Sequence, residues 1–148
     1  IFLFNTDASL FFNCIFCTFV HKKEMVKNMI LVGLGSFFGG MVRYSVSYLI
    51  GRYITSPFPL ATFIVNVLGC LIIGFVSGLP VFASLGTSNR LLLTAGLCGG
   101  FTTFSTFISE NVMFFKDGRP TTALLYIIGS IVAGFLAVVI GQLIAKLF

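Results

Sequence analysis

The sequence predicts an all-α membrane protein with four transmembrane helices, and three observations support this prediction. Of the 148 residues, 57% are hydrophobic and only 9% are charged, with a mean hydropathy of +1.09, which lies outside the range of soluble domains. The nine Lys and Arg residues lie mostly at the ends of apolar runs, as interfacial anchors do. A bilayer is crossed by about 20 apolar residues, and four runs reach that length: residues 29–54, 60–79, 91–115 and 121–148.

The composition also argues against three other classes of protein. The net charge of +5 comes from scattered basic residues rather than from one basic surface, so nucleic acid is not an expected partner. Cys14 and Cys17 have metal-ligand spacing, but no second Cys or His pair completes a zinc site. The four carboxylates are not accompanied by a plausible base in one site, and we therefore expect no enzymatic activity.

The first 24 residues are apolar and aromatic, but they fall outside the four runs. They lack the positive n-region of a secretory signal. We expect residues 1–24 to be an upstream extension that is not part of the fold, and residues 25–148 to form the membrane domain. The alternative is a fifth membrane segment, which Asp7 near its middle disfavours by about 2.5–3.5 kcal/mol.

Polar side chains lie at membrane depth in the first two predicted helices. Arg43 is a candidate functional residue because an intramembrane charge is costly, although its long stem can also snorkel to the interface. Thr62 and Asn66 are four residues apart and share one helix face. The Asn66 amide can donate to an anion in a pore, and an interhelical hydrogen bond is the common alternative.

The third predicted helix contains a Gly-Gly pair followed by Thr102 and Thr103, and we expect it to be broken between Gly99 and Thr103. Glycine costs roughly 1 kcal/mol against alanine inside a helix, and threonine offers the backbone other hydrogen-bond partners. Broken backbone at membrane depth is tolerated only where protein or water satisfies it, and such breaks often form ion sites. The alternative is a helix kinked for close packing.

Aromatic and hydroxyl residues follow this stretch at helical spacing. Phe104 and Phe107 share a face, and their positively polarised ring edges can face an anion, although packing is the commoner role of phenylalanine. Glu110 lies one turn further, near the end of the run. The fourth run repeats small or polar residues every four positions, as a hydroxyl track beside a pore or a packing seam would: Tyr126, Ser130 and Gly134.

Three motifs, in this order and with this helix count, resemble the Fluc (CrcB) family of fluoride channels. They are residues 39–44 (GGMVRY), 62–69 (TFIVNVLG) and 96–107 (GLCGGFTTFSTF). The resemblance covers about residues 25–148. It implies a passive, fluoride-selective channel in the cell membrane that relieves fluoride toxicity, built as an antiparallel, dual-topology homodimer of four-helix subunits with a sodium ion at the interface.

The resemblance also implies roles for individual residues. Carbonyl groups of Gly99 and Thr102 would hold the sodium ion, and Arg43 and Glu110 would lie near the pore mouths. Gly134 stands where some relatives have serine, which leaves that end of the hydroxyl track open. The fluoride pore would be lined by Asn66, Phe104, Phe107, Thr62, Thr106, Tyr126 and Ser130.

Two alternative functions fit the residues less well, and the basic residues predict the topology. A small multidrug exporter needs a central carboxylate in the first helix, where this chain has only Arg43; a non-transporting scaffold would leave Asn66 and the phenylalanine pair unexplained. Counted from Met25, basic residues near the helix ends balance three against three, which predicts insertion in both orientations. The two sets are Lys27, Arg90 and Lys146, and Arg52, Lys116 and Arg119.

Overall fold

The computed structural model describes the backbone of residues 6–148 and the side chains from Lys22 onward, and within this part the regular secondary structure is entirely helical. The elements are α1 (Thr6–Tyr53), α2 (Leu60–Gly78), α3 (Pro80–Ser84), α4 (Thr87–Leu91), a π-helical segment (Leu92–Cys98), α5 (Gly99–Phe101), α6 (Phe104–Lys116) and α7 (Pro120–Ala145).

Four stretches of these helices are long and apolar enough to cross a membrane. They are Lys22–Tyr53, Leu60–Gly78, Thr87–Lys116 and Pro120–Ala145. The prediction of an all-helical membrane protein with four spans is therefore confirmed, and each span overlaps one of the four apolar runs. The short helix α3 lies between the second span and the third, and the third span begins with α4.

The prediction for residues 1–24 falls partly outside the described residues, which exclude positions 1–5. From Thr6 onward the backbone is helical and continuous with the first span. Contacts of side chains are described only from Lys22 onward. The interpretation of residues 1–24 as an extension outside the fold stays a prediction.

Glycines bring α1 into backbone contact with the first half of the third span. A Cβ atom at Gly35 would lie 2.5 Å from the carbonyl oxygen of Leu92 and 2.8 Å from the Cα atom of Gly96. A Cβ atom at Gly100 would lie 2.6 Å from the carbonyl oxygen of Ser36. Small residues permit this close approach in membranes, where apolar side chains gain little by leaving lipid. The contact fixes α1 and the π-helical segment in one register.

The α2–α7 pair forms a second interface in which glycines place two backbones against each other. A Cβ atom at Gly74 would lie 2.8 Å from the Cα atom of Val138, and one at Gly141 would lie 2.6 Å from the backbone nitrogen of Phe75. Gly134 faces Cys70, whose sulfur lies 3.3 Å from an added Cβ. At Gly134, the four-residue stripe of α7 therefore belongs to a packing seam.

A small aromatic core fills the space between α2, α6 and α7. Tyr126 is 1% exposed and lies at its centre. The ring of Phe107 meets the Tyr126 ring edge-to-face at 4.8 Å between centroids, and the ring of Phe58 does so at 5.0 Å. This geometry is the one that aromatic pairs prefer, and it fixes the direction of the Tyr126 hydroxyl.

The chain reverses between α6 and α7 through a Schellman turn. Gly118 has φ 70, a left-handed conformation that favours glycine. The backbone N–H of Gly118 donates to the carbonyl of Phe115 at 3.2 Å, and that of Arg119 donates to the carbonyl of Phe114 at 2.8 Å. Pro120 then occupies the first turn of α7, where its missing N–H costs nothing.

Candidate functional site

Two residues in extended conformation separate α5 from α6 inside the third span. Thr102 has φ −80 and ψ 157, and Thr103 has φ −142 and ψ 112. They lie at the end of the stretch in which the sequence predicts a break. The Thr103 hydroxyl caps α6 by accepting from the backbone N–H of Thr106 at 3.4 Å, and it donates to the Thr106 hydroxyl at 2.9 Å.

Asn66 holds the extended segment through both ends of its amide. Its Oδ1 accepts from the backbone N–H of Thr103 at 2.8 Å, and its Nδ2 donates to the carbonyl of Thr103 at 3.1 Å. The interhelical bond named as the alternative for Asn66 is therefore present. An amide NH₂ carries two hydrogens, so one of them is left over for a further acceptor.

This clamp changes the partners of nearby carbonyl groups. Because the N–H of Thr103 points to Asn66, it is not the helical donor to the carbonyl of Gly99. The carbonyl of Gly100 accepts from Nε of half-buried Arg43 at 3.2 Å. Arg43 thus satisfies backbone that lies beside the extended pair, and it lines neither of the two cavities to which the other predicted residues contribute.

An inner cavity of about 300 Å³ opens beside the extended pair, and four of the predicted pore residues line it: Asn66, Phe104, Phe107 and Ser130. Cys70, Thr102, Thr103 and Ile131 complete the lining. The hydroxyl oxygen of Ser130 is buried and has no hydrogen-bond partner among the described residues. Since buried hydroxyls normally find partners, this group is suited to a polar guest in the inner cavity.

The two phenylalanines of the inner cavity differ in exposure. Their ring centroids are 6.1 Å apart, and the ring planes are tilted by 41°. Phe107 is 7% exposed and belongs to the aromatic core, whereas Phe104 is 75% exposed in the single chain. Within one chain, Phe104 therefore has most of its ring available for contacts outside the fold.

Glu110 binds two of the predicted pore hydroxyls. Its Oε1 accepts from the Thr62 hydroxyl at 2.6 Å, and its Oε2 accepts from the Tyr126 hydroxyl at 2.9 Å. Hydrogen bonds to a carboxylate are short and strong. Thr62 and Tyr126 are buried at 6% and 1% exposure, so both hydroxyl hydrogens are directed at Glu110 rather than at the inner cavity.

Glu110 also lines an outer cavity of about 420 Å³ at the α6–α7 end of the fold. The two cavities are joined by a line of contacts: Phe107 lines the inner cavity, its ring packs on Tyr126, and Tyr126 donates to Glu110. The remaining lining of the outer cavity is Ser56, Pro57, Phe58, Pro59, Met113, Phe114, Asp117 and Arg119.

The structure thus gathers the predicted site residues into three groups. The inner cavity unites Asn66, Phe104, Phe107 and Ser130; the carboxylate group unites Thr62, Glu110 and Tyr126; and the extended pair lies beside Gly99 and Arg43. Thr106 lines neither cavity and instead bonds to the capping hydroxyl of Thr103.

Sequence reasoning missed the role of Thr103, which caps α6 and whose backbone donates one hydrogen bond to the Asn66 amide and accepts another from it. A threonine that directly precedes a helical run is a usual N-cap, and this pattern is present in the sequence. It also missed Phe58, whose ring packs on Tyr126 from the loop before α2. No local pattern links Phe58 to a residue so far along the chain.

These features define a multi-pass helical membrane protein in which amide, hydroxyl and aromatic groups converge on small cavities next to non-helical backbone. The family model described as "CrcB-like protein, Camphor Resistance (CrcB)" matches residues 30–142. The chain belongs to this CrcB-like family, and the family resemblance identified from the three motifs is confirmed.

This chain also matches nearly the whole length of curated relatives that are named fluoride-specific ion channel FluC. The protein of Chlorobium phaeobacteroides (strain DSM 266) is 42% identical over 126 residues, which is 84% of this chain and 97% of the relative. That of Chlorobaculum tepidum is 44% identical over 125 residues, covering 84% and 98%. That of Phocaeicola vulgatus is 44% identical over 116 residues, covering 78% and 96%.

Proposed function

We propose that this protein is a fluoride-specific ion channel of the plasma membrane, through which cytoplasmic fluoride leaves passively and fluoride toxicity is relieved. The observation that carries the proposal is the inner cavity, where Asn66, Ser130 and two phenylalanine rings surround one space in a chain 42–44% identical to proteins named as fluoride channels. The relatives support neither a multidrug exporter nor a scaffold. The proposed activity is conduction, not catalysis.

The chemistry of the inner cavity suits a small anion. Fluoride is strongly hydrated, and a narrow pore must replace its water with other donors. The second Nδ2 hydrogen of Asn66, the buried hydroxyl of Ser130 and the ring edges of Phe104 and Phe107 can serve as donors. No carboxylate is among the residues that line this cavity in the described part of the chain.

The carboxylate group sets the next step of the proposed route. Thr62 and Tyr126 donate to Glu110, so a fluoride ion at this position competes with a carboxylate for the same two hydrogens. Fluoride and a carboxylate oxygen are both acceptors with a negative charge. The ion therefore passes when Glu110 releases one hydroxyl, and binding there stays weak enough for the ion to leave.

Fluoride efflux from liposomes is the experiment that tests this function. Purified protein should release trapped fluoride, measured with an ion-selective electrode once a potassium ionophore removes the opposing voltage, and should retain trapped chloride. Release of both anions at similar rates would reject fluoride specificity. Release of neither, from protein that elutes as one species in size-exclusion chromatography, would reject the channel.

We further propose that two chains assemble as an antiparallel homodimer, with a sodium ion held by carbonyl groups of Gly99 and Thr102. Two observations support this: the Gly99 carbonyl lacks the Thr103 N–H as its helical donor, and Phe104 exposes 75% of its surface in the single chain. Carbonyl oxygens suit a hard cation. Sodium that binds only the folded dimer should raise the dissociation temperature of the dimer in detergent relative to N-methylglucamine.

Dual topology is the third part of the proposal, and it follows from the balance of basic residues at the two ends of the helices. A chain that starts at Met25 carries three Lys or Arg residues near each end, so neither orientation is favoured. Reporter fusions at the carboxyl terminus should register on both membrane faces. Two added lysines after Phe148 should confine the signal to one face, whereas a single orientation before that addition would reject the homodimer.

A further inference from the structure

We propose that Arg119 is the anion-capturing residue of the outer cavity, where its positive charge lowers the repulsion that fluoride meets from two carboxylates. The inference rests on the proposed function and adds a residue to it. Its observations are the fixed position of Arg119, the charges that share the cavity with it, and the contact of that cavity with Glu110.

The backbone of Arg119 is fixed by the turn between α6 and α7. Its N–H donates to the carbonyl of Phe114 at 2.8 Å, as the second residue after a helix does in a Schellman turn. Left-handed Gly118 precedes it, and Pro120 follows as the start of α7. A residue placed between these two has little backbone freedom.

The side chain of Arg119 is also held in place. The guanidinium carbon lies 5.1 Å from the centroid of the Phe114 ring, in a cation–π arrangement. Phe114 is itself 7% exposed and belongs to the aromatic core around Tyr126. The charge of Arg119 is therefore presented from a rigid platform, and the edges of its planar group are left to face the outer cavity.

The charges around the outer cavity give Arg119 its proposed task. Two carboxylates line the cavity, Glu110 and Asp117, and Arg119 is the one cation among the described lining residues. Among the described side chains, Lys27 and Glu24 form the single ion pair, at 3.4 Å. No described carboxylate therefore lies within 4.0 Å of the Arg119 guanidinium. Its charge is available to an incoming anion.

Without Arg119, the charged residues among the described lining of this mouth would be the carboxylates Glu110 and Asp117 alone. A cleft with low-dielectric walls focuses the field of its charges, and a favourable sign raises the local concentration of the ion and its rate of entry. Arg119 offsets one of the two negative charges. Lys116 is a suitable control for Arg119, because it is also an exposed cation and lies three residues away in the sequence. It does not line the outer cavity.

The test compares Arg119→Gln with Lys116→Gln, which remove the same charge from neighbouring positions. Initial fluoride efflux from liposomes is measured at a low fluoride concentration, where capture limits the rate, in about 0.01 M and about 0.1 M ionic strength set by impermeant salt. The Debye length falls from about 30 Å to about 10 Å between them. Arg119→Gln should lower efflux about threefold at low ionic strength, and the deficit should shrink at the higher one.

Three further results decide the proposal. Arg119→Lys, which keeps the charge, should retain most of the efflux, and Asp117→Asn should raise efflux about twofold at low ionic strength. Equal efflux from Arg119→Gln and Lys116→Gln, or a deficit that is independent of salt, would overturn the capture role while leaving the channel intact. If wild-type protein releases no fluoride, the proposed function fails first, and the role of Arg119 fails with it.

Discussion

The α2–α7 pair and the third span provide hydrogen-bond partners for their backbone N–H and C=O groups in opposite ways. In α2 and α7 the helices are continuous, and glycines at the contact let two intact hydrogen-bonded backbones touch. In the third span, the backbone is extended at Thr102 and Thr103, and the N–H of Thr103 leaves the helical pattern. Asn66 and Arg43 bind backbone groups there from other helices. The pair that needs no outside partner supports the fold, and the span that needs partners supplies four of the eight residues that line the inner cavity: Thr102, Thr103, Phe104 and Phe107.

This difference follows from what a membrane offers to polar groups. Each unsatisfied N–H or C=O in lipid costs several kcal/mol, so a non-helical segment persists only where side chains are placed to bind it. The same side chains then lie beside ion-accessible backbone. The side chains that bind the non-helical segment therefore also form the candidate site. Substitutions in the third span should change fluoride efflux, whereas substitutions in the α2–α7 pair should change stability.

The largest effect is expected at Asn66, where the two roles meet. Asn66→Asp should abolish fluoride efflux, because a carboxylate repels the anion and cannot donate to the Thr103 carbonyl as Nδ2 does. Efflux from liposomes measures the loss, and size-exclusion chromatography checks assembly. Asn28→Asp is the matched control, since Asn28 accepts from Ser88 at 2.7 Å outside both cavities; undiminished efflux by Asn66→Asp would remove Asn66 from the pore.

A smaller loss of flux is expected at the paired rings. Phe104→Ile and Phe107→Ile should each lower efflux, because isoleucine keeps bulk but has no polarised ring edge. If the contact of a ring edge with the anion is taken as equal to that of an aromatic pair, about 0.5–1.5 kcal/mol, the loss is up to about tenfold. Phe63→Ile makes the same change at a half-buried ring of α2 outside both cavities. Equal losses at all three positions would favour packing over ring-edge contact with the anion.

Substitutions at the α2–α7 interface should lower the stability of the fold and leave the selectivity for fluoride unchanged. Gly74→Ala would place a Cβ on the backbone of Val138 and should destabilise the fold by about 1–3 kcal/mol, as overpacking does. Gly51→Ala is the control, because nothing lies within 4 Å of a Cβ at that helical position. Detergent-denaturation midpoints give the comparison, and a Gly74 variant as stable as the Gly51 variant would contradict the seam.

The smallest effect is expected at the cap of α6. Thr103→Ala removes the hydroxyl that accepts from Thr106 and should cost about 1 kcal/mol of stability, while the backbone bonds to Asn66 remain. Thr121→Ala, at an exposed position in the first turn of α7, is the corresponding control. A Thr103 variant that loses all efflux without losing stability would instead give this hydroxyl a direct part in conduction.

The four spans could be predicted because hydropathy adds up along the chain and needs no knowledge of contacts. The predicted run 60–79 and the observed helix Leu60–Gly78 differ by one residue. They agree so closely because Pro80, which starts the next helix, cannot continue α2. The location of the extended pair was bounded by the local Gly-Gly-Phe-Thr-Thr pattern. Its partner Asn66 lies 37 residues before Thr103, and Arg43, which binds the neighbouring carbonyl of Gly100, lies 57 residues before Gly100. No periodicity links these residues.

The candidate site was predicted as a set of residues, but its grouping was not. Thr62 and Asn66 share a helix face, as expected, yet their side chains bind different partners, Glu110 and Thr103. The carboxylate group depends on how α2, α6 and α7 converge, which is a property of packing. Arg119 was interpreted from the sequence only as a topology signal, because the ring and the cavity beside it exist only in three dimensions.

The glycine contact between α1 and the third span determines where the chain can gain or lose residues. Gly39 fits against the backbone of Leu97 and Phe101, and Arg43 reaches Gly100 one turn later. One residue inserted between Gly39 and Arg43 would turn Arg43 by about 100° around the helix axis and take its guanidinium away from the Gly100 carbonyl. Insertions and deletions should therefore be tolerated in connections such as residues 56–59 and should disrupt the fold within the spans.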